Sequence, residues 1–257
     1  MNEYNFTQAL KNALKEEMQK DSSVFVLGED IGLRGGVYGV TEGFRDEFGE
    51  DRVMDTPVSE TGIIGASIGA ALMGMRPVPE IMFCDFLACC YDQIANQASK
   101  WTYMSGGKIK GIPMTVRVCC GAGVRAGSQH SQTNEGWFMN VPGIKIVYPS
   151  SPRDAYGLLK SSIRDQNPVL FYEHKLLYAS ESKEEIPEGD FTIPIGKSEV
   201  KKEGKDATII TYGLMVERSI EAANRLQKQG LDIEVLDLRT LKPLDEEGII
   251  ESVTKTG

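Results

Sequence analysis

Apolar residues recur at four-residue spacing near the start of the chain. Phe6, Leu10, Leu14 and Met18 line one face of residues 5–20, with Thr7 placed to cap it, and predict an amphipathic helix. The period then changes. Val24-Phe25-Val26-Leu27 is a short apolar run, as of a buried strand, and it ends in the polar turn Gly28-Glu29-Asp30-Ile31-Gly32, at a strand end of the kind where open α/β sheets bind ligands. A glycine-rich loop, Gly35 to Gly39, leads to a helix near residues 41–48, and Arg52 to Asp55 reads as a strand. Pro77 to Phe83 predicts another. Asp85 to Met104 predicts one long helix with Phe86, Cys89, Cys90, Gln93, Ile94, Gln97 and Trp101 on one face, closed by Gly106-Gly107. Ile112 to Cys120, Ile144 to Tyr148 and Val169 to Tyr172 complete the strands, with a loop at 121–132 and a helix at 151–163.

Strands alternating with helices imply an α/β fold, a parallel sheet sandwiched by helices, over residues 1–185. Residues 180–205 are acidic and lysine-rich, carry Pro187 and Pro194, and show little periodicity. The interdomain linker is placed at 186–205, with a short strand around Phe191 to Ile195. Residues 206–257 then hold strand, helix, strand, helix, a partial second α/β domain too small to hold a core alone.

One stretch stands apart, Asp55 to Met75. Ser59 or Thr56 could cap a helix, and from Glu60 onward the residues are Gly, Ala, Ile, Leu and Met with no other charge until Arg76. A helix this apolar on all sides is expected to be buried. Glu60 in its first turn would then be a carboxyl in low dielectric, a candidate acid or base; the plainer reading is a cap or a partner for the helix dipole. Gly62, Gly65, Gly69 and Gly74 each cost a helix roughly 1 kcal/mol relative to Ala and suggest close backbone packing.

Composition narrows the picture. A formal charge of −9, from 37 acidic and 28 basic residues, argues against a nucleic-acid surface. The longest apolar run, Ile63 to Met75, is broken by glycines and short of the ~20 residues that span a bilayer. The N-terminal residues suggest no signal peptide, so the expected location is the cytoplasm, or an organelle matrix after processing. Cys84, Cys89, Cys90, Cys119 and Cys120 contain no C-x-x-C pair and read as reduced core residues. With His130 and His174 as the only histidines, a transition-metal site is not expected.

The glycines of Gly121 to Gly127 have the wrong spacing for a dinucleotide loop, and neither a nucleotide-triphosphate loop nor a nucleophile elbow is present. His130, between Gln129 and Ser131 on that loop, could act as an acid or base near neutral pH or be a plain surface histidine. His174 follows a strand end and reads as structural. Phe83 and Phe86 are core residues or a flat stacking face.

Taken in order, Pro57-Val58-Ser59-Glu60-Thr61-Gly62, Met104-Ser105-Gly106-Gly107, Gly127-Ser128-Gln129-His130-Ser131-Gln132, Ile163 to Val169 and Leu236 to Asp245 closely resemble the β subunit of thiamin-diphosphate-dependent 2-oxo acid dehydrogenases. The pyruvate and acetoin branches look nearest. The resemblance implies a transketolase-like pyrimidine-binding domain followed by part of the transketolase C-terminal domain. It implies a thiamin diphosphate site whose aminopyrimidine half lies on this chain, while an α subunit binds the diphosphate and Mg²⁺. In keeping with that division, no Gly-Asp-Gly motif with a following Asn occurs here. By resemblance Glu60 hydrogen-bonds the pyrimidine ring nitrogen, Phe86 stacks on the pyrimidine, and His130 serves decarboxylation or acyl transfer. Ile163, Asp165 and Asn167 match a loop that holds potassium through carbonyl oxygens. Cys89 stands where pyruvate enzymes often carry a Gln that contacts the site.

The implied assembly is an α₂β₂ heterotetramer that converts a 2-oxo acid or acetoin into an acyl group on the lipoyl arm of an acyltransferase core. The family's second domain continues beyond the motif at Leu236 to Asp245, so the chain is expected to be a C-terminally truncated form. Rival readings are a branched-chain 2-oxo acid dehydrogenase β subunit, a self-contained transketolase-like enzyme, which lacks its diphosphate motif here, and a catalytically silent scaffold.

Overall fold

The computed structural model describes residues 2–257. A short strand, β1 (Asn2–Tyr4), turns into α1 (Phe6–Lys20). The cap is Asn5 and not Thr7. The Asn5 carboxamide accepts the Gln8 N–H at 2.9 Å and the Gln8 carboxamide accepts the Asn5 N–H at 3.0 Å, so two orphan donors are satisfied at once. Next come β2 (Val24–Gly28), α2 (Phe44–Phe48), β3 (Val53–Asp55), α3 (Glu60–Leu72) and β4 (Arg76–Ile81).

The long helix expected over 85–104 is instead three pieces. These are a 3-10 turn (Cys84–Ala88), a π segment (Gln93–Ala98) and α4 (Trp101–Met104). Ser99 shows the cause of the middle one. Its hydroxyl donates to the Ala95 carbonyl at 2.6 Å, the acceptor an α-helix would use for the Ser99 N–H, and that N–H reaches back to Ile94 at 3.1 Å.

The rest of the chain is β5 (Thr115–Cys120), β6 (Lys145–Val147), α5 (Pro152–Arg164), β7 (Val169–His174), α6 (Lys175–Tyr178), β8 (Glu184–Ile186), β9 (Glu199–Lys202), β10 (Ala207–Thr211), α7 (Leu214–Gln227), β11 (Ile233–Asp237), β12 (Thr240–Lys242) and α8 (Glu246–Thr256). The main sheet has the order β12-β6-β7-β5-β4-β2-β3 and is parallel except for β12. A smaller sheet, β10-β11-β9, carries α7 and α8, and β1 pairs with β8.

Alternation along the strands builds two cores. Phe25, Leu27, Ile81, Val116, Val118 and Tyr172 face α3 and the helical pieces at 84–98. Val24, Val26, Val78, Val169 and Phe171 face α1 and α5. On α3 only one face is buried, by Ile63, Ile64, Ser67, Ile68 and Ala71, so the helix is not covered all round. Thr61, Gly62, Ala66, Gly69 and Leu72 are exposed, and a Cβ at Gly65 or Gly69 would touch nothing. The helix lies on the sheet by one side, and its glycines open outward instead of packing.

The segment 191–195 forms no strand, but it is fixed. The Ile193 N–H donates to Gly157 at 3.2 Å and the Ser161 hydroxyl donates to Ile193 at 2.6 Å. Gly157 is required there because a Cβ would stand 2.6 Å from the Ile193 side chain. β9, in the stretch read as linker, is the edge of the smaller sheet. Charge ties that sheet to the larger one: Asp154 in the first turn of α5 meets Lys201 at 2.6 Å and Arg239 at 2.6 Å. Nearby, burial and then the charge of Asp154 push the Asp237 carboxyl up to about 6, and the Ser150 hydroxyl donates to it at 2.5 Å.

On the α1 side of the main sheet, Arg117 of β5 is 2 % exposed and lies between two carboxylates. It donates to Glu173 at 2.8 and 2.9 Å and to Glu80 at 2.7 Å, and the Tyr178 hydroxyl also donates to Glu173. Burial raises the Glu80 carboxyl above its usual range, with Arg117 opposing. Removing the guanidinium leaves two buried carboxylates without their partner. Arg117→Ala should therefore lower the unfolding free energy by about 3–5 kcal/mol in urea titrations; a loss below about 1 kcal/mol would mean the triad is not holding the sheet.

Candidate active site

The parallel strands β2, β3, β4 and β5 all end at one edge of the sheet, and the segments leaving them carry the candidate chemistry. Glu29 follows β2, Glu60 follows β3 by way of the turn at Thr56 to Ser59, Phe83 and Phe86 follow β4, and His130 lies on the loop after β5.

Glu60 is the first residue of α3. Ser59 does the capping, its hydroxyl accepting the Gly62 N–H at 3.3 Å, so Glu60 is free of that task. Its carboxylate is half-buried and makes no hydrogen bond or ion pair with any described residue. Its charge is felt by two neighbours. Burial first and then Glu60 raise the Glu29 carboxyl above its ordinary range, and the same two causes push the Cys90 thiol up to about 12. Burial and the nearby charge of Glu60 thus both favour the protonated form of Glu29.

Phe86 sits in the 3-10 turn after β4 and is half-buried. The Phe83 ring lies 6.3 Å away at 72° and the His130 ring 5.4 Å away at 88°, so both meet Phe86 edge-to-face. His130 itself ends a 3-10 turn (Ser128–His130) and lies 4.5 Å from Phe83. Cys89 caps the turn that carries Phe86, is exposed, and accepts the Thr61 hydroxyl on its carbonyl at 2.5 Å, which ties α3 to that turn. The other four cysteines are buried and free, so the reading of all five as core residues fails only at Cys89, which lies at the end of a short helical turn facing outward.

The structure therefore brings Glu60, Phe86, Cys89 and His130 to one edge. Ile163, Asp165 and Asn167 lie elsewhere, where α5 ends and β7 begins, at the amino ends of the strands. The Arg76 guanidinium donates to the Ile163 carbonyl at 2.9 Å and to the Asp165 carbonyl at 3.1 Å. The Asp165 carboxylate pairs with Lys145 and accepts the Asn167 N–H at 2.8 Å. A potassium ion there would share two of its carbonyls with a guanidinium.

His174 is the last residue of β7 and the cap of α6. Its Nδ1 accepts the Leu176 N–H at 3.2 Å, and burial, then the charge of Lys175, push it down to about 4. Glu29 is the residue the sequence reading passed over, taken there only as part of a polar turn. Its signal was a carboxylate directly after the first buried strand. Buried polar atoms without partners also gather at this edge: Thr56 Oγ1, Asp85 Oδ1 and Glu135 Oε2. An edge that leaves such atoms and the Glu60 carboxylate unsatisfied suits a polar ligand.

The family model "Transketolase, pyrimidine binding domain" matches residues 2–181, and "Transketolase, C-terminal domain" matches 196–257. The chain is 50% identical over 257 residues to the 2-oxoisovalerate dehydrogenase subunit beta of Bacillus subtilis, covering 100% of this chain and 78% of that one. It is 49% identical to the beta subunit of acetoin:2,6-dichlorophenolindophenol oxidoreductase of Cupriavidus necator, over 97% of this chain and 75% of the relative. Identity is also 49% to the pyruvate dehydrogenase E1 component subunit beta of Staphylococcus aureus, over 100% and 78%. A solved structure titled "Split gene transketolase, inactive beta4 tetramer" superposes with a TM-score of 0.79 at 22% identity, over 99% of this chain and 77% of that one, which shows the fold.

Because the charge of Glu60 is one of the causes that raise the Glu29 carboxyl, Glu60→Gln should move it back toward its ordinary range. Titrating the Glu29 side-chain carboxyl by ¹³C NMR in both proteins tests this, and an unmoved Glu29 would show that burial alone raises it.

Proposed function

This chain belongs to the transketolase-like family of 2-oxo acid dehydrogenase β subunits, and we propose that it supplies the pyrimidine half of a thiamin diphosphate site completed by an α subunit. The observation that carries the reading is the unpartnered Glu60 carboxylate at the carboxyl edge of the sheet, with Phe86 and His130 beside it. Bound thiamin diphosphate supplies a thiazolium carbon that adds to a carbonyl and takes up the electron pair released when a C–C bond breaks.

The chain's residues do the rest. Glu60 holds a proton that it shares with a pyrimidine ring nitrogen. Its carboxyl is half-buried and bonded to no described residue, so it is free to meet that nitrogen. Phe86 offers an aromatic surface to the ring. His130 Nδ1 or Nε2 takes or gives a proton as the acyl group passes to a lipoyl sulfur. Mg²⁺ and the diphosphate fall to the α subunit, following the division of the site that the family resemblance implies. Potassium at Ile163, Asp165 and Asn167 is given no part in the reaction.

The substrate is a 2-oxo acid or acetoin, the α₂β₂ assembly is the working unit, and a lipoyl-bearing acyltransferase core receives the acyl group. The relatives with different printed substrates are 50%, 49% and 49% identical, so overall likeness does not rank them. Cys89, exposed beside the site, is the residue of this chain placed to affect the choice.

Calorimetric titration of thiamin diphosphate and Mg²⁺ should give binding with the α subunit present and none with this chain alone; tight binding by the chain alone would overturn the shared site. Glu60→Gln should abolish turnover of the reconstituted complex while leaving circular dichroism unchanged, and retained turnover would remove Glu60 from its role. His130→Ala should slow acyl transfer to lipoate more than it weakens cofactor binding, and equal losses would count against His130.

A further inference from the structure

Lys175 opens α6 directly after β7, and it is 1 % exposed. No described carboxylate forms an ion pair with it. Its ammonium donates instead to two backbone carbonyls, Gly121 at 3.0 Å and His130 at 2.5 Å. It also stands 5.0 Å from the centre of the Phe83 ring, and that ring in turn meets the His130 ring at 4.5 Å.

These contacts have one geometric result. Gly121 is where the chain leaves β5 and His130 is where the loop reaches the site, and the residues between them, 122–129, are exposed. A loop with so little of its own packing takes its shape from its two ends. Both ends are fastened to the same buried cation. Gly121 is fitted to this place: a Cβ there would come within 2.2 Å of the His174 ring, and its φ is +90°. A leucine or methionine would fill the volume of the lysine stem without burying a charge, so packing alone does not account for an ammonium here.

We infer that Lys175 is the positioning residue of His130, a buried ammonium that clamps both ends of the 121–130 loop and holds the Phe83 ring against the imidazole. The role in the reaction rests on the reading of His130 given above, whereas the clamp itself is a property of this chain alone. Lys175 touches no reacting atom; it acts through His130.

The two histidines make the test direct, because His130 and His174 are the only ones in the sequence. In histidine-labelled chain, Cε1–Hε1 spectra should show two imidazole signals, assigned with His174→Gln, and the His130 signal should carry an NOE to the Phe83 ring. In Lys175→Met that signal should broaden or split and lose the NOE while the amide spectrum of the strands is kept. In the complex reconstituted with the α subunit, kcat for acyl transfer to lipoate should fall on the order of 10²-fold with KM for the 2-oxo acid unchanged, the size of loss that follows from a misplaced catalytic group. If Lys175→Met does not fold, Lys175→Gln, whose amide still donates to one carbonyl, is read in its place with the same criterion. A His130 signal and NOE identical to wild type in a folded variant overturn the inference. Loss of the NOE together with a wild-type complex that never turns over supports the clamp and refutes the function proposed for the site.

Discussion

A parallel sheet has to be buried on both faces, and that requirement shapes everything else in this chain. Successive residues of β5 point to opposite sides, so Val116 and Val118 join the core under α3 while Arg117 joins the core under α1. Polar side chains on the strands are thereby committed to one layer or the other. Because the strands run the same way, every segment that leaves their carboxyl ends appears along a single edge, and the candidate groups drawn from distant parts of the sequence meet there without any special device.

The two layers treat charge differently. Arg117, Glu80 and Glu173 find their partners within the chain, one guanidinium bridging two carboxylates with a tyrosine hydroxyl added. The Glu60 carboxylate has no hydrogen bond or ion pair with any described residue, and its charge helps hold the Glu29 carboxyl above its usual range. Lys175 faces carbonyls with no carboxylate. A buried charge that is fully answered holds a fold together. One left partly unanswered makes sense where a ligand, a partner or a proton completes it, and the unanswered ones here lie at the edge that the family resemblance marks.

Much of this was legible in the sequence. The four-residue period of α1, the short apolar runs of β2, β5 and β7, and the lone carboxylate ahead of a glycine-rich apolar helix each have one dominant physical cause acting over neighbouring residues. What escaped depends on partners far along the chain. The break in the helix at Ser99 turns on a hydroxyl competing for a carbonyl, which periodicity does not register. The exposed side of α3 has the same apolar composition as its buried side, so no sequence pattern separates them. Glu80, Arg117 and Glu173 are single charges in three separate apolar strands, and nothing local says that they meet. At the site, Glu60, Phe86 and His130 came from family motifs, whereas Glu29 and Lys175 belong to none of those motifs and emerged only from the folded arrangement.

The strand β12 belongs to the later part of the sequence, yet its hydrogen bonds are made to β6 of the main sheet, with Thr240 opposite Val147 and Lys242 opposite Ile146. It runs against the direction of every other strand there and is the last strand on that side. An edge left open would present unpaired donors and acceptors beside the buried Ile146 and Val147, a template for any extended chain nearby. The second unit thus works as a selvedge that keeps the sheet from ravelling into its neighbours. Severing the chain at 186–205 would divide it neatly on paper and leave the larger piece with a sticky margin, so the two units are separable in sequence and interdependent in solubility.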